Sequence, residues 1–145
     1  MNAKFFLDTN IFVYSFNRAA PAKAKRAEGL IQQAIATKKG ATSFQVMQEF
    51  FAVALRKFKE PMAVPDAIQY LRTTFLPLVS VHSSQSLYED ALRLRESYRL
   101  PWYDSIIVAA AQEADCALLY SEDFQDRQRF GSVRVVNPFL PGTIH

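Results

Sequence analysis

KFFLDTNIFVYSF, residues 4–16, sets one acid, Asp8, between two apolar runs. Phe5, Phe6 and Leu7 read as a short buried strand, Asp8, Thr9 and Asn10 as residues that start helices, and Ile11–Phe16 as the helix that follows. A strand, a capping turn and a helix in immediate succession open an α/β unit. The carboxylate at the mouth of the strand then has two readings. It caps the helix, or it belongs to a site, because ligands of open α/β sheets bind beyond the carboxyl ends of the strands.

Outward from this stretch the pattern repeats. Pro21 starts a helix whose Ala24, Ala27, Leu30, Ile31, Ala34 and Ile35 recur at three- and four-residue spacing, and Gly40 is expected to end it. A minor strand, ATSF, leads into a helix capped by Thr42 or Ser43, with Met47, Phe50, Phe51, Ala54, Leu55 and Phe58 on its buried face, widened by Val46 and Val53. A helix from Asp66 to about Phe75 is expected to stop at Pro77, and LVSV (78–81) reads as a buried strand. Ser83 or Ser84 caps the next helix, which turns Leu87, Ala91, Leu92 and Leu94 inward and runs to about Tyr98. An almost wholly apolar helix, about Tyr103–Ala114, precedes strands at 117–120 and 133–136. Short apolar strands alternating with helices predict a three-layer α/β/α domain with a short, mainly parallel central sheet.

Half of the 145 residues are hydrophobic, enough for one core and one domain across 1–145. No apolar run approaches the roughly 20 residues of a membrane span, and the N-terminus lacks the pattern of a secretory signal, so the expected location is cytoplasmic. Cys116 stands alone in ADCALLY and reads as a small buried hydrophobe. His82 and His145 are far apart, which argues against a zinc site or a histidine relay. The net charge of +3 and pI near 9.1 are modest, but the basic residues cluster: Lys23, Lys25 and Arg26; Arg56, Lys57 and Lys59; Arg93, Arg95 and Arg99; Arg127 and Arg129. Such clusters are solvated helix faces or a surface for a polyanion such as nucleic acid.

Four acids border predicted buried segments. Asp8 closes the first strand, Asp123 follows the strand ALLY with Ser121 and Glu122, Glu49 shares its helical stripe with Val46 and Val53, and Asp104 precedes SIIVAAA. Separately, Asp8 and Asp104 read as helix caps and Asp123 as a turn residue, whereas Glu49 is harder to explain, since mid-helix acids on buried helices are uncommon without a partner. Gathered together, four carboxylates would repel and raise one another's pKa. A divalent cation resolves that conflict, and oxygen donors without Cys or His point to Mg²⁺ or Mn²⁺.

FLDTNIFVYSF, QEF, YDSIIVAAA, LLYSEDFQD and VRVVNPF, in this order and spacing, resemble the PIN-domain ribonucleases, and among them the toxins of VapBC-type toxin–antitoxin pairs. The resemblance implies a PIN-like fold and a metal site carried by Asp8, Glu49, Asp104 and Asp123, with Asp126 as a less uniform fifth member and Thr9 and Ser121 as supporting hydroxyls. It implies an Mg²⁺- or Mn²⁺-dependent endoribonuclease that hydrolyses RNA phosphodiesters with metal-activated water, held in check by a cognate antitoxin protein. Arg127 stands where many similar toxins carry glycine. Trp102 and Tyr103 suit either stacking of an unpaired base or core packing, and Phe12, Tyr14 and Phe16 suit a partner groove, a homodimer face or the core. Two other readings remain open: a PIN-like module that binds RNA or protein without cutting, and a haloacid-dehalogenase-like phosphatase. The phosphatase normally needs a second acid two residues after the first, where this chain has Asn10.

Overall fold

The computed structural model describes residues 3–141; His145 lies outside the described residues. Strand β1 (Phe5–Leu7) is buried throughout, as its apolar run requires. It pairs in parallel on both edges, with β2 (Gly40–Ser43) through Phe5–Gly40 and Phe6–Ala41, and with β4 (Leu118–Tyr120) through Phe5–Leu118, Phe6–Leu119 and Leu7–Tyr120. Adding β3 (Val79–Val81), β5 (Arg129–Phe130) and β6 (Val133–Val136) gives one sheet in the order β3-β2-β1-β4-β6-β5, parallel except for the β5–β6 pair. The chain therefore builds outward from β1 in one direction with β2 and β3, and returns to its other side with β4. That reversal leaves a crevice beyond the carboxyl ends of β1 and β4, where α/β sheets hold ligands.

Helices cover the sheet. α7 (Trp102–Glu113) lies against β2, β4 and β6 with α6 (Gln85–Tyr98) packed on it, while α1 (Thr9–Tyr14) sits between α2 (Pro21–Thr37) and α3 (Phe44–Ala54). This is the three-layer α/β/α arrangement expected from the sequence. α7 is apolar almost all round because Ser105 through Ala111 are all buried between the sheet and α6. Phe6, Phe12, Phe50, Phe75 and Phe130 are fully buried, each contributing about 2–3 kcal/mol by removal from water. Phe50 anchors an aromatic cluster with Phe16, Phe58, Tyr70 and Phe75. Cys116 is buried, and burial pushes its thiol up to about 12, as suits an inert core residue. Among the described residues no helix is long and apolar enough to cross a membrane.

Several boundaries differ from the sequence pattern, each for a local reason. α2 ends at Thr37 with Lys38 in the left-handed region (φ 60°), and Gly40 opens β2 instead of terminating the helix. Gly40 is needed for close packing: a Cβ there would lie 2.0 Å from the Ala34 Cβ. α3 stops at Ala54, so Leu55 is exposed. Pro77 does not stop its helix. α4 (Val64–Tyr70) widens into a π turn at Leu71–Phe75, where the Leu76 N–H reaches back to the Leu71 carbonyl, and continues as α5 (Leu76–Leu78). β3 is an edge strand with Ser80 exposed, not a buried one, and Leu92 faces solvent on α6. β5 was not legible: it is two residues long and is formed by a tight hairpin in which Gly131 takes φ 62°.

Candidate active site

Parallel pairing of Leu7 with Tyr120 brings the two residues that follow, Asp8 and Ser121, out of the sheet side by side. The Asp8 N–H donates to the Tyr120 carbonyl at 3.1 Å, and the Ser121 hydroxyl donates to Asp8 Oδ2 at 2.6 Å. Asp8 Oδ1 accepts the Thr9 N–H at 2.7 Å, so Asp8 is the N-cap of α1 while its second oxygen is held by Ser121.

Thr9 extends the network. Its hydroxyl donates to Glu49 Oε1 at 2.6 Å, crossing from α1 to the middle of α3. Glu49 reaches this point because Ser43 caps α3 through the Val46 N–H and aims the helix off the end of β2. Glu49 Oε2 accepts from Gln45 Nε2 at 3.1 Å, one helical turn back, and that nitrogen also reaches the Tyr103 carbonyl at 3.4 Å. Asp104 is the next residue, in the first turn of α7, half-buried and not acting as the cap. On the other side, the Asp123 N–H donates to Ser121 Oγ at 3.0 Å. The hydroxyls of Thr9 and Ser121 thus hydrogen-bond to Glu49 and Asp8.

Electrostatics ties the four acids together. Burial pushes Asp8 up to about 7 against the lowering effect of Ser121 and Thr9, and the charges of Asp123 and Glu49 raise it further. Asp104 is likewise raised, first by burial and then by Asp123 and Glu49. Among the described residues no Lys or Arg forms a salt bridge with any of the four. Asp8, Glu49, Asp104 and Asp123 therefore share one region of unbalanced negative charge. Asp126 is placed differently: its Oδ1 accepts the Asn137 N–H at 2.8 Å and ties the loop after β4 to the chain after β6.

The donor set fits a hard divalent cation, since every donor is a carboxylate oxygen and, among the described residues, no cationic side chain forms a salt bridge with the buried Asp8. The side chains do not form a closed cage as placed. Among the described residues no three Asp, Glu, His or Cys side chains are grouped closely enough to hold an ion. Hydrogen bonds to Thr9, Gln45 and Ser121 orient the Glu49 and Asp8 carboxylates separately.

Gln45 escaped the sequence reading, as did the contact that joins Glu122 to Tyr14 and Lys23. Gln45 is buried and bridges two acid-bearing helices; its position four residues before Glu49 was the available signal. Glu122, between Ser121 and Asp123, accepts from Tyr14 Oη and from Lys23 Nζ, the latter at 2.7 Å. Burial would raise Glu122, but these two donors bring it below the usual carboxylate range. Lys23 also lies 3.7 Å from the centroid of the Tyr14 ring, so α1, α2 and the acidic loop are clamped at one point. Of the basic residues, Lys23 is thereby spent on structure, and Arg93 pairs with Glu89 and Asp90; Arg56, Lys57 and Lys59 are exposed. Asn10, the position that separates this chain from the phosphatase pattern, has its amide atoms buried without a hydrogen-bond partner.

The sequence matches the PIN domain family over residues 5–129, a span that contains every acid named above. No curated protein sequence matches the chain significantly. Among solved structures, the fold is similar to that of a toxin–antitoxin complex from Klebsiella pneumoniae, with a TM-score of 0.67 and 22% identity over 94% of this chain and 98% of that one. It is also similar to VapC20 from Mycobacterium tuberculosis, a sarcin-ricin loop cleaving toxin, with a TM-score of 0.56 and 24% identity over 83% of this chain and 90% of that one. Identities this low speak for the fold alone, whereas the family match covers most of the sequence and includes the acidic crevice. This chain belongs to the PIN-domain family.

Proposed function

We propose that this protein is a metal-dependent endoribonuclease and the toxin of a toxin–antitoxin pair. The observation that carries the reading is the continuous link from Asp123 through Ser121, Asp8 and Thr9 to Glu49, with Asp104 repelled by the same charges. Asp8, Glu49, Asp104 and Asp123 would hold Mg²⁺ or Mn²⁺. When bound, such an ion supplies charge neutralisation, activation of water and Lewis-acid stabilisation at a phosphodiester. Thr9 and Ser121 orient the carboxylates through the hydrogen bonds already described. Asp126 serves as a loop tie in this account, consistent with its bond to Asn137.

The substrate is RNA, cut by water to leave a 5′ phosphate and a 3′ hydroxyl without a covalent enzyme intermediate. The exposed Arg56, Lys57 and Lys59 and the other basic clusters supply attraction for the phosphate backbone around an acidic crevice. Such a nuclease would act in the cytoplasm and would need an inhibitor. The similar Klebsiella structure is a toxin–antitoxin complex, which supports a cognate antitoxin as partner. A cleft of about 420 Å³ lined by Val13, Tyr14, Phe16, Phe58, Lys57 and Lys59 lies on this surface, apolar with a basic rim. Of the aromatics in and just after α1, Phe12 is core, while Tyr14 and Phe16 line the cleft. Assembly as a homodimer belongs to the same proposal and is read by sedimentation.

The test is cleavage of single-stranded RNA by purified protein with Mg²⁺ or Mn²⁺, with excess EDTA, and with Asp104→Asn. Cleavage that needs the metal and disappears in the folded variant is the expected result. Wild-type rates in EDTA or in Asp104→Asn would overturn the reading. RNA binding without any turnover would assign the chain to the non-catalytic alternative, and a trapped aspartyl phosphate to the phosphatase.

A further inference from the structure

Trp102 and Tyr103 open α7 side by side, and the fold treats them oppositely. Trp102 is half-buried, stacks on Tyr88 with ring centroids 6.1 Å apart, and has its carbonyl occupied by the Ser105 hydroxyl at 2.6 Å. Tyr103 points outward and is 65% exposed; among the described residues no large apolar side chain is more exposed. Its mount is nevertheless fixed. Gln45 Nε2, on a side chain only 7% exposed, touches the Tyr103 carbonyl and Glu49 Oε2 together. One amide nitrogen therefore sets the Tyr103 main chain beside Glu49, and Asp104 follows it directly.

An exposed ring on a pinned helix terminus, at the rim of a crevice that repels phosphate, has an evident use. We propose that Tyr103 is a stacking platform for a nucleobase of single-stranded RNA adjoining the phosphate addressed by the acids. The inference rests on the nuclease reading above. Every base presents a π face, so the contact holds the strand without demanding a sequence. Tyrosine has only two side-chain torsions to freeze, so it offers this area at low entropic cost. Trp102, packed on Tyr88, serves the core instead.

The experiment measures binding of a fluorescein-labelled single-stranded oligoribonucleotide by anisotropy in an Asp8→Asn background, which holds RNA without cutting it. Tyr103→Phe is expected to bind within about 2-fold of the parent, and Tyr103→Ala to bind about 5- to 100-fold more weakly. A set of oligonucleotides with one abasic residue, walked along the strand, supplies the decisive arm: at one position the penalty of Tyr103→Ala should vanish, because the base that stacked is already gone. In the cutting protein, Tyr103→Ala should raise KM and leave kcat close to wild type. Equal affinity of Tyr103→Ala and the parent, or the same penalty at every abasic position, would overturn the platform while leaving the nuclease reading intact. A parent protein that neither binds nor cuts single-stranded RNA would remove both. Loss of binding to a co-expressed protein partner with RNA affinity unchanged would assign the ring to a protein interface and also overturn the proposal.

Discussion

Asp8 is 3% exposed and titrates near 7 because burial and the charges of Asp123 and Glu49 outweigh two hydrogen bonds that favour its ionised form. Between the ordinary 3.8 and about 7, the native state holds a proton that the unfolded chain has already released. Stability of the metal-free protein should therefore fall as pH rises from about 4 to about 7, and stay low above that. The shift sets a ceiling of about 4 kcal/mol, reduced by screening and relaxation. Asp8→Asn should flatten this dependence and, at pH 8 without metal, raise the unfolding free energy by only about 1 kcal/mol, well short of the ceiling, because its amide cannot accept both existing donors. It should also abolish cleavage; melting curves against pH and an RNA assay read the two effects. A second residue-scale case is Arg127, which takes φ 68° and donates its N–H to the Val135 carbonyl at 2.9 Å. This left-handed conformation explains why glycine suits the position. Arg127→Gly should be neutral or stabilising by up to about 1 kcal/mol and Arg127→Val destabilising by about 1–2 kcal/mol, measured by denaturant titration. Glu49 was noticeable in the sequence because a mid-helix Glu on an apolar stripe is harder to explain than a capping or turn acid. Glu122 was not, since nothing local announces that Lys23 and Tyr14 will fold onto it.

Elements place those residues, and their ends matter more than their middles. α3 carries Glu49 to the crevice because β2 packs tightly against α2, where Gly40 faces Ala34 with no room for a methyl group. Gly40→Ala should cost about 1–3 kcal/mol by forcing these backbones apart, seen as a lower midpoint in urea. The loop after β4 is fixed differently, by the Lys23–Glu122–Tyr14 clamp, in which both charged side chains are about a third exposed. Such a pair contributes at most about 1 kcal/mol to folding, so Lys23→Met should leave stability almost unchanged. If the clamp positions Ser121 and Asp123, the same substitution should weaken Mn²⁺ binding by about 10-fold in calorimetry. Helix and strand existence followed from periodicity and capping residues. Boundaries did not, since Lys38 rather than Gly40 took the left-handed position and a π turn let the helix pass Pro77. β5 depends on a tertiary hairpin and leaves no pattern in two residues.

At the scale of the whole molecule, the order β3-β2-β1-β4-β6-β5 sets four acids far apart in sequence around one end of the sheet, within reach of one another's charge, because the winding direction reverses between β1 and β4. Alternating short strands and helices made the layered architecture readable, but neither the strand order nor the hydrogen bonds through Thr9, Gln45 and Ser121 can be seen in one dimension. Net charge is +3 while the crevice is acidic, so under the proposed function basic side chains elsewhere would supply the attraction for RNA. RNA binding should weaken with salt, by about 20-fold between 50 and 200 mM if three phosphates are contacted. Single-site loss of an exposed Lys57 or Lys59 should flatten that slope without changing the cleavage position. In the proposed function Asp8, Glu49, Asp104 and Asp123 close on one hard cation. Anomalous diffraction from crystals grown with Mn²⁺ measures this directly: a peak about 2.0–2.3 Å from oxygens of at least three of these carboxylates is predicted. An ordered ion elsewhere, with the four acids still held apart at saturating Mn²⁺, would contradict it.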